Sequence, residues 1–152
     1  MPIHPTTQAD LPGLRAILKT IELFPAEMLT EMVAPFLDDP ESGELWFTAE
    51  RDGRAVGFCY CRPEALTDGT YNLLAIGVSS ELQGAGIGRQ LMHYCEAQLR
   101  AAGHRILIVD TSGSDDFALT RGFYTKLGYA KEAVIRDFWA EGDDKVTFWK
   151  KL

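Results

Sequence analysis

The stretch ELQGAGIGRQLMHYCEAQLR, residues 81–100, sets Gly84, Gly86 and Gly88 at alternate positions directly ahead of a helical pattern. Ile87, Leu91, Cys95 and Leu99 then step by four, and Gly103 stands where such a helix would stop. A helix start leaves backbone N–H groups without internal partners and carries partial positive charge. Residues lacking a Cβ just before it let an anion reach those donors, which is why such loops hold phosphates. A glycine-rich turn without a ligand is the plainer alternative. Each glycine within a helix costs roughly 0.5–1 kcal/mol relative to alanine, so three together favour the ligand. Two familiar phosphate loops do not fit. The dinucleotide pattern GxGxxG follows its strand directly, whereas SSELQ separates Val78 from Gly84, and Gly88 lies two residues after Gly86. The mononucleotide loop needs GK followed by Ser or Thr, and that triplet is absent.

Upstream of the glycines, LWFTAE at 45–50, the turn Arg51, Asp52, Gly53, and AVGFCYCR at 55–62 predict a β-hairpin. TDG at 67–69 turns the chain into a third strand over Tyr71 to Val78. Thr7 with Asp10 resembles a helix-opening cap, and Leu11, Leu14, Ile17, Leu18 and Ile21 predict a first helix ending near Phe24. Pro25 fits the first turn of a second helix, with Met28, Met32 and Phe36 on one row and Leu29, Val33 and Leu37 on the next. Downstream, RILIVD at 105–110 has the character of a buried strand. Ala118, Leu119, Phe123 and Leu127 predict another helix closed by Gly128, and AVIRDFW with KVTFWKKL forms a last hairpin. The order ααβββαβαββ makes the class α+β, a mixed and mostly antiparallel central sheet flanked by helices, in one domain over 1–152.

Composition narrows the function. Hydrophobic residues at 46% and charged residues at 24% are those of a globular chain. A net charge of −7 argues against nucleic acid as a partner. The longest apolar run, LLAIGV at 73–78, is too short to span a bilayer, so no membrane partner is expected and the cytoplasm is the default location. Cys59, Cys61 and Cys95 show no paired spacing and read as core residues; no metal site is expected.

QGAGIG at 83–88 resembles the Q/R-x-x-G-x-G/A motif of the GNAT superfamily of N-acetyltransferases, in which it cradles the pyrophosphate of acetyl-CoA. FYTKLGY at 123–129 is similar to that family's Y-x-K-x-G-F/Y segment, and GDDKVTFWKKL to its closing strand. The resemblance covers the chain from about residue 3 to 152. It implies that the strand end Ile76, Gly77, Val78 splays from its neighbour and pairs with the pantetheine arm. It further implies that Gln83, Gly84, Ala85, Gly86, Ile87 and Gly88 hold the pyrophosphate, with Arg89 adding positive charge or standing free in solvent. Tyr124 matches the tyrosine that protonates the CoA sulfur in many members.

The general base is the open position. Where some members carry a glutamate, Asn72 stands here, and a neutral amide orients a water rather than accepting a proton. Asp110 is the nearest match to the acid used by others; capping the next turn is its alternative role, and Glu22 and Glu64 stand in reserve. Phe117 replaces the family's asparagine seven residues before the tyrosine. The acceptor segments implied by the resemblance, 21–28, 62–69 and the last hairpin, bring Glu22, Glu27, Glu64 and Asp68 together with Phe24, Tyr71 and Trp139. Such a mouth suits a protonated amine with an apolar portion, in a small molecule, a peptide or a protein. The activity expected is acetyl transfer to a primary amine by direct attack in a ternary complex. A non-catalytic acyl-CoA sensor is the alternative, and a homodimer using Trp139 or Trp149 at a sheet edge fits the same fold.

Overall fold

The computed structural model describes residues 1–152. Its elements are β1 (Ile3–Pro5), α1 (Leu11–Leu18), α2 (Leu29–Asp38), β2 (Leu45–Arg51), β3 (Arg54–Pro63), β4 (Thr70–Val78), α3 (Ile87–Ala101), β5 (Ile106–Ser112), α4 (Ala118–Lys126), β6 (Ala130–Ala140) and β7 (Asp143–Lys151). One seven-stranded sheet, in the order β1-β2-β3-β4-β5-β7-β6, carries them all, and β4–β5 is its only parallel pair. The α+β class and the mostly antiparallel sheet are as expected, with α3 following β4 into the parallel crossover.

The two faces of the sheet bury separate cores. Ile87, Leu91, Cys95 and Leu99 of α3 pack on Phe47, Cys59, Leu73, Leu107 and Phe148, so the four-residue step of the helix faces the sheet. All three cysteines are buried there, with Cys61 Sγ 3.6 Å from Cys95 Sγ. On the other face Leu11, Leu14, Ile17, Leu29 and Val33 cover Trp46, Phe58 and Tyr60, and the indole of Trp46 stacks 4.3 Å from Tyr60.

Three local readings change. β1 was not expected; it pairs antiparallel with β2 through Ile3↔Ala49. α1 ends at Leu18 rather than near Phe24, and the Thr20 hydroxyl donates to the Ile17 carbonyl at 2.8 Å where the helix stops. The bends that follow bring Ile21 against Gly77, where an added Cβ would sit 2.9 Å from Ile21 Cδ1, and place Phe24 edge-on to Phe58. In α2 only the row of Leu29 and Val33 is buried, while Met28 is exposed.

The feature that creates the site lies in β4. Tyr60 pairs with Ala75 and Cys61 with Leu73, which leaves Leu74 as a bulge against β3. On the opposite side, pairing with β5 runs only from Thr70↔Ile106 to Leu73↔Val109. Beyond that point the strands part. β5 continues on β7 as far as Ser112, and β4 from Leu74 to Val78 keeps β3 alone.

Candidate active site

The open side of β4 is flanked by two grooves. The first, about 560 Å³, lies between the end of β4, the glycine loop and α4. Ile76, Val78, Gln83, Gly84, Gly86, Ile87, Gly88, Arg89 and Tyr124 of the expected cofactor set all line it. Gly77 instead faces the other groove, and the Ala85 N–H is taken by the Leu82 carbonyl at 3.2 Å.

The loop geometry follows from its glycines. Gly84 and Gly86 have φ of +85° and +86°, a left-handed conformation that side-chain-bearing residues avoid, and nothing lies within 4 Å of where their Cβ atoms would be. Gly86 is the N-cap of α3, and the first helical bond is donated by Gln90 to the Gly86 carbonyl. The N–H groups of Ile87, Gly88 and Arg89 therefore have no acceptor within the helix. Arg89, exposed beside them, enters no ion pair. Open space, free donors and a cation at one helix start make a fitting cradle for a diphosphate. The Gln83 side chain ties this loop to the strand, Nε2 donating to the Val78 carbonyl at 3.3 Å.

The second groove, about 580 Å³, lies on the other side of the divergence and is walled by Glu22, Leu74, Asp110, Ser112, Phe117 and Trp139. Ile76, Val78, Gln83, Thr120 and Tyr124 line both grooves, so the two meet across the parted strands. Tyr124 is buried among Phe123, Tyr129 and Phe148, and its hydroxyl makes no hydrogen bond within the chain. Burial pushes its pKa well above the usual tyrosine value, which keeps the phenol protonated.

Asp110 is the first residue of β5 beyond its pairing with β4. Its Oδ1 accepts from Thr147 Oγ1 at 2.6 Å and its Oδ2 from Asn72 Nδ2 at 3.2 Å. The same Asn72 amide donates to Glu64 Oε1 at 2.8 Å, while Asn72 Oδ1 is buried without a partner. Glu64 and Asn72 are thus linked to Asp110 and are not among the residues that line the groove. Phe24 also lies outside it, in a shallow depression beside Glu22 and Leu23.

Several placements were not expected from the sequence. Thr120 lines both grooves, and Leu119, expected on a buried row, is 91% exposed over the first. Arg121 fixes the turn after β5 by donating to the carbonyls of Ser112 and Ser114 at 2.8 and 2.7 Å, and Ser112 Oγ donates to Asp143. The Trp139 indole reaches back across β7 and donates to the Thr111 carbonyl at 3.3 Å. None of these has a signal in local spacing; each depends on partners distant in the chain.

Known proteins share this arrangement. The model of the acetyltransferase (GNAT) family matches residues 11–129. An uncharacterized N-acetyltransferase of Methanocaldococcus jannaschii is 26% identical over 107 residues, 70% of this chain and 65% of its own length. The 5-NmdU N-acetyltransferase of Pseudomonas phage PaMx11 is 35% identical over 81 residues, 53% of this chain and 54% of its own length. The chain thus spans between half and two thirds of these curated relatives. A crystal structure from Desulfovibrio desulfuricans, assigned to GNAT acetyltransferases, superposes with a TM-score of 0.91 at 28% identity, covering 99% of this chain and 98% of that one. With the family model matched from α1 through α4, and the splayed strand and glycine loop in place, the chain belongs to the acetyltransferase (GNAT) family.

Proposed function

We propose that the protein is an acetyl-CoA-dependent N-acetyltransferase that passes the acetyl group to a primary amine by direct attack while both substrates are bound. The observation that carries this reading is the meeting of two grooves at Tyr124, one lined by the glycine loop and the other by carboxylates.

In this reading the free side of Ile76, Gly77 and Val78 takes the pantetheine arm as a sheet edge takes an extended chain. The free N–H groups of Ile87, Gly88 and Arg89 hold the diphosphate across the bare backbone of Gly84 and Gly86, Gln83 and Ala85 shape the loop, and the Arg89 side chain adds its charge. Acetyl-CoA supplies an activated acetyl group. Tyr124 donates to the departing sulfur; the burial that keeps it protonated also weakens it as an acid, so it acts mainly as a hydrogen-bond donor.

Asp110 receives the amine proton, directly or through a water, with its two oxygens held by Thr147 and Asn72. Glu22 attracts the protonated acceptor at the groove mouth. Glu64 acts through Asn72, and Phe24 supports the Glu22 segment. Leu74, Phe117 and Trp139 offer apolar surface among these acids, which favours an amine with an apolar portion, in a small molecule or a peptide. A cytoplasmic setting goes with this reading and with three unpaired thiols. No helix is long and apolar enough to cross a membrane.

The test is release of CoA thiol from acetyl-CoA with a panel of small amines, amino acids, peptides with free amines, and 5-NmdU, named in the phage relative. Turnover with at least one acceptor is expected. Tight CoA binding with no turnover across the panel would instead indicate an acyl-CoA sensor. Absence of a thermal shift with CoA overturns both, since a ligand at 100 times its Kd stabilises by about 2.7 kcal/mol.

A further inference from the structure

The Tyr124 hydroxyl makes no hydrogen bond within the chain, so its direction is set by what holds its ring and its backbone. The backbone is held where α4 ends. The Tyr129 N–H donates to the Tyr124 carbonyl and the Gly128 N–H to the Thr125 carbonyl, both at 3.1 Å, around a left-handed Gly128 with φ of +89°. The ring of Tyr129 then folds back on that of Tyr124, with centroids 5.8 Å apart. Tyr129 therefore grips Tyr124 twice, through backbone and through ring.

Tyr129 is itself anchored from outside α4. Its hydroxyl donates to Glu96 Oε2 at 2.6 Å, and Lys150 Nζ donates to Glu96 Oε1 at 2.9 Å. The same ammonium donates to the Leu127 carbonyl at 2.8 Å, one of those that the end of α4 leaves without a helical partner. It also lies 5.2 Å from the centroid of the Tyr129 ring. Of the three aromatic neighbours of Tyr124, Phe123 and Phe148 have no polar side-chain atom, so Tyr129 alone is tied by one.

Stability gives little reason for a charged pair in this place. Glu96 is 3% exposed, and a buried ion pair loses in desolvation about what it gains in attraction, so that apolar residues of similar volume commonly serve as well. Hydrogen bonds do impose lengths and angles that apolar contacts leave free. Here that geometry spans the site. Glu96 stands on α3, about 13 Å along the helix from Ile87, whose free N–H faces the glycine loop. The carboxylate is thus at a fixed distance from the diphosphate cradle, and what it holds is the end of α4 that carries Tyr124.

We propose that Glu96 and Lys150 are positioning residues for Tyr124. Through Tyr129 and Leu127 they fasten the end of α4 to the helix that begins at the glycine loop, so that the Tyr124 hydroxyl stands where the sulfur of a carrier bound in that loop arrives. The inference rests on the proposed binding of CoA in the first groove. Glu96, Tyr129 and Lys150 line neither groove and act only through Tyr124.

The test uses CoA itself, in its thiol form, and reads the Cζ resonance of Tyr124 in protein carrying carbon-13 at tyrosine Cζ, assigned by its absence in Tyr124→Phe. In the wild type CoA should displace this resonance as the hydroxyl meets the sulfur. Tyr129→Phe keeps ring and backbone but cuts the tie to Glu96, and Glu96→Leu with Lys150→Met removes the ion pair without leaving either charge alone. Both should retain CoA affinity by calorimetry while losing at least half of the displacement. Glu96→Gln, which keeps a hydrogen-bonding side chain, should retain more of it than either. Val33→Ala, in the core on the other face of the sheet, lowers stability and should leave the displacement intact. With an acceptor found in the amine panel, the first two variants should lower kcat about tenfold at unchanged KM for acetyl-CoA, and should add nothing to the loss in Tyr124→Phe. A displacement as large as that of the wild type in both variants overturns the proposal, as does one lost equally in Val33→Ala, or a kcat loss that persists without the Tyr124 hydroxyl. A wild type that binds no CoA, or binds it with Tyr124 unmoved, overturns the reading of the groove and this inference with it.

Discussion

Asn72 and Asp110 are joined by a hydrogen bond of 3.2 Å across the last stretch where β4 and β5 still pair, and the same amide holds Glu64 at 2.8 Å. A neutral amide between two carboxylates separates like charges while donating to both. A carboxylate in its place would have to repel them.

Asn72→Leu should lower kcat with little change in CoA affinity, because it removes the donor shared by Asp110 and Glu64. Asn72→Gln, which keeps an amide, should retain more of the activity. The check is kcat and CoA affinity for both variants. Asp110→Asn should reduce kcat by about 10²–10⁴-fold, the usual range for a general base, with CoA affinity unchanged.

Tyr124→Phe keeps the ring among Phe123, Tyr129 and Phe148 and removes a hydroxyl without a partner. Thermal stability should change by less than about 1 kcal/mol. Turnover should drop roughly 10²–10³-fold through loss of the donor to sulfur. Melting and single-turnover measurements on the same preparation separate the two effects.

Gly77 and Gly86 should respond differently to alanine. At Gly77 the new Cβ meets Ile21 Cδ1 and Phe58 Cε1, each at 2.9 Å, so the loss is one of overpacking, about 1–3 kcal/mol. At Gly86 the space is open and only the left-handed φ of +86° is opposed, about 1–2 kcal/mol. Gly86→Glu should add a large loss of CoA affinity by presenting a carboxylate to the diphosphate, read by calorimetric titration.

Alkaline pH should unfold the protein through its tyrosines. Tyr60 is pushed up to about 12 by burial and by Glu44, which accepts from its hydroxyl at 2.8 Å. Burial also raises Tyr71, Tyr124 and Tyr129. Their folded values lie above the unfolded value of about 10, so stability is intact below pH 10 and declines as pH rises through the folded values. Absorbance at 295 nm should show delayed ionisation of these four, then a sharp rise with unfolding.

Much of the fold was legible because periodic burial leaves periodic sequence. The step of Ile87, Leu91, Cys95 and Leu99 identified α3 and the face it buries. The same rule misplaced the end of α1, since Ile21 and Phe24 continue a helical spacing yet reach their partners through bends. β1 left no trace, being three residues that include a proline. In the site, the glycine loop and Tyr124 could be read because backbone conformation and a local motif specify them. The union of Glu64, Asn72, Asp110 and Thr147 could not, because it joins residues 8, 38 and 37 positions apart through register alone. Trp139 was legible as an aromatic of the last hairpin, but its return over β7 depends on Asp137, which adopts a φ of +55° where the β6–β7 register breaks.

The parting of β4 from β5 also bears on mechanics. Four residue pairs, Thr70↔Ile106 through Leu73↔Val109, stitch two half-sheets at one end, and the other end is left to gape. Whatever fills the gap with an extended amide chain supplies the missing rungs. Occupancy should therefore stiffen the whole molecule, slowing deuterium uptake at the amides of residues 74–78 and in the half-sheet beyond.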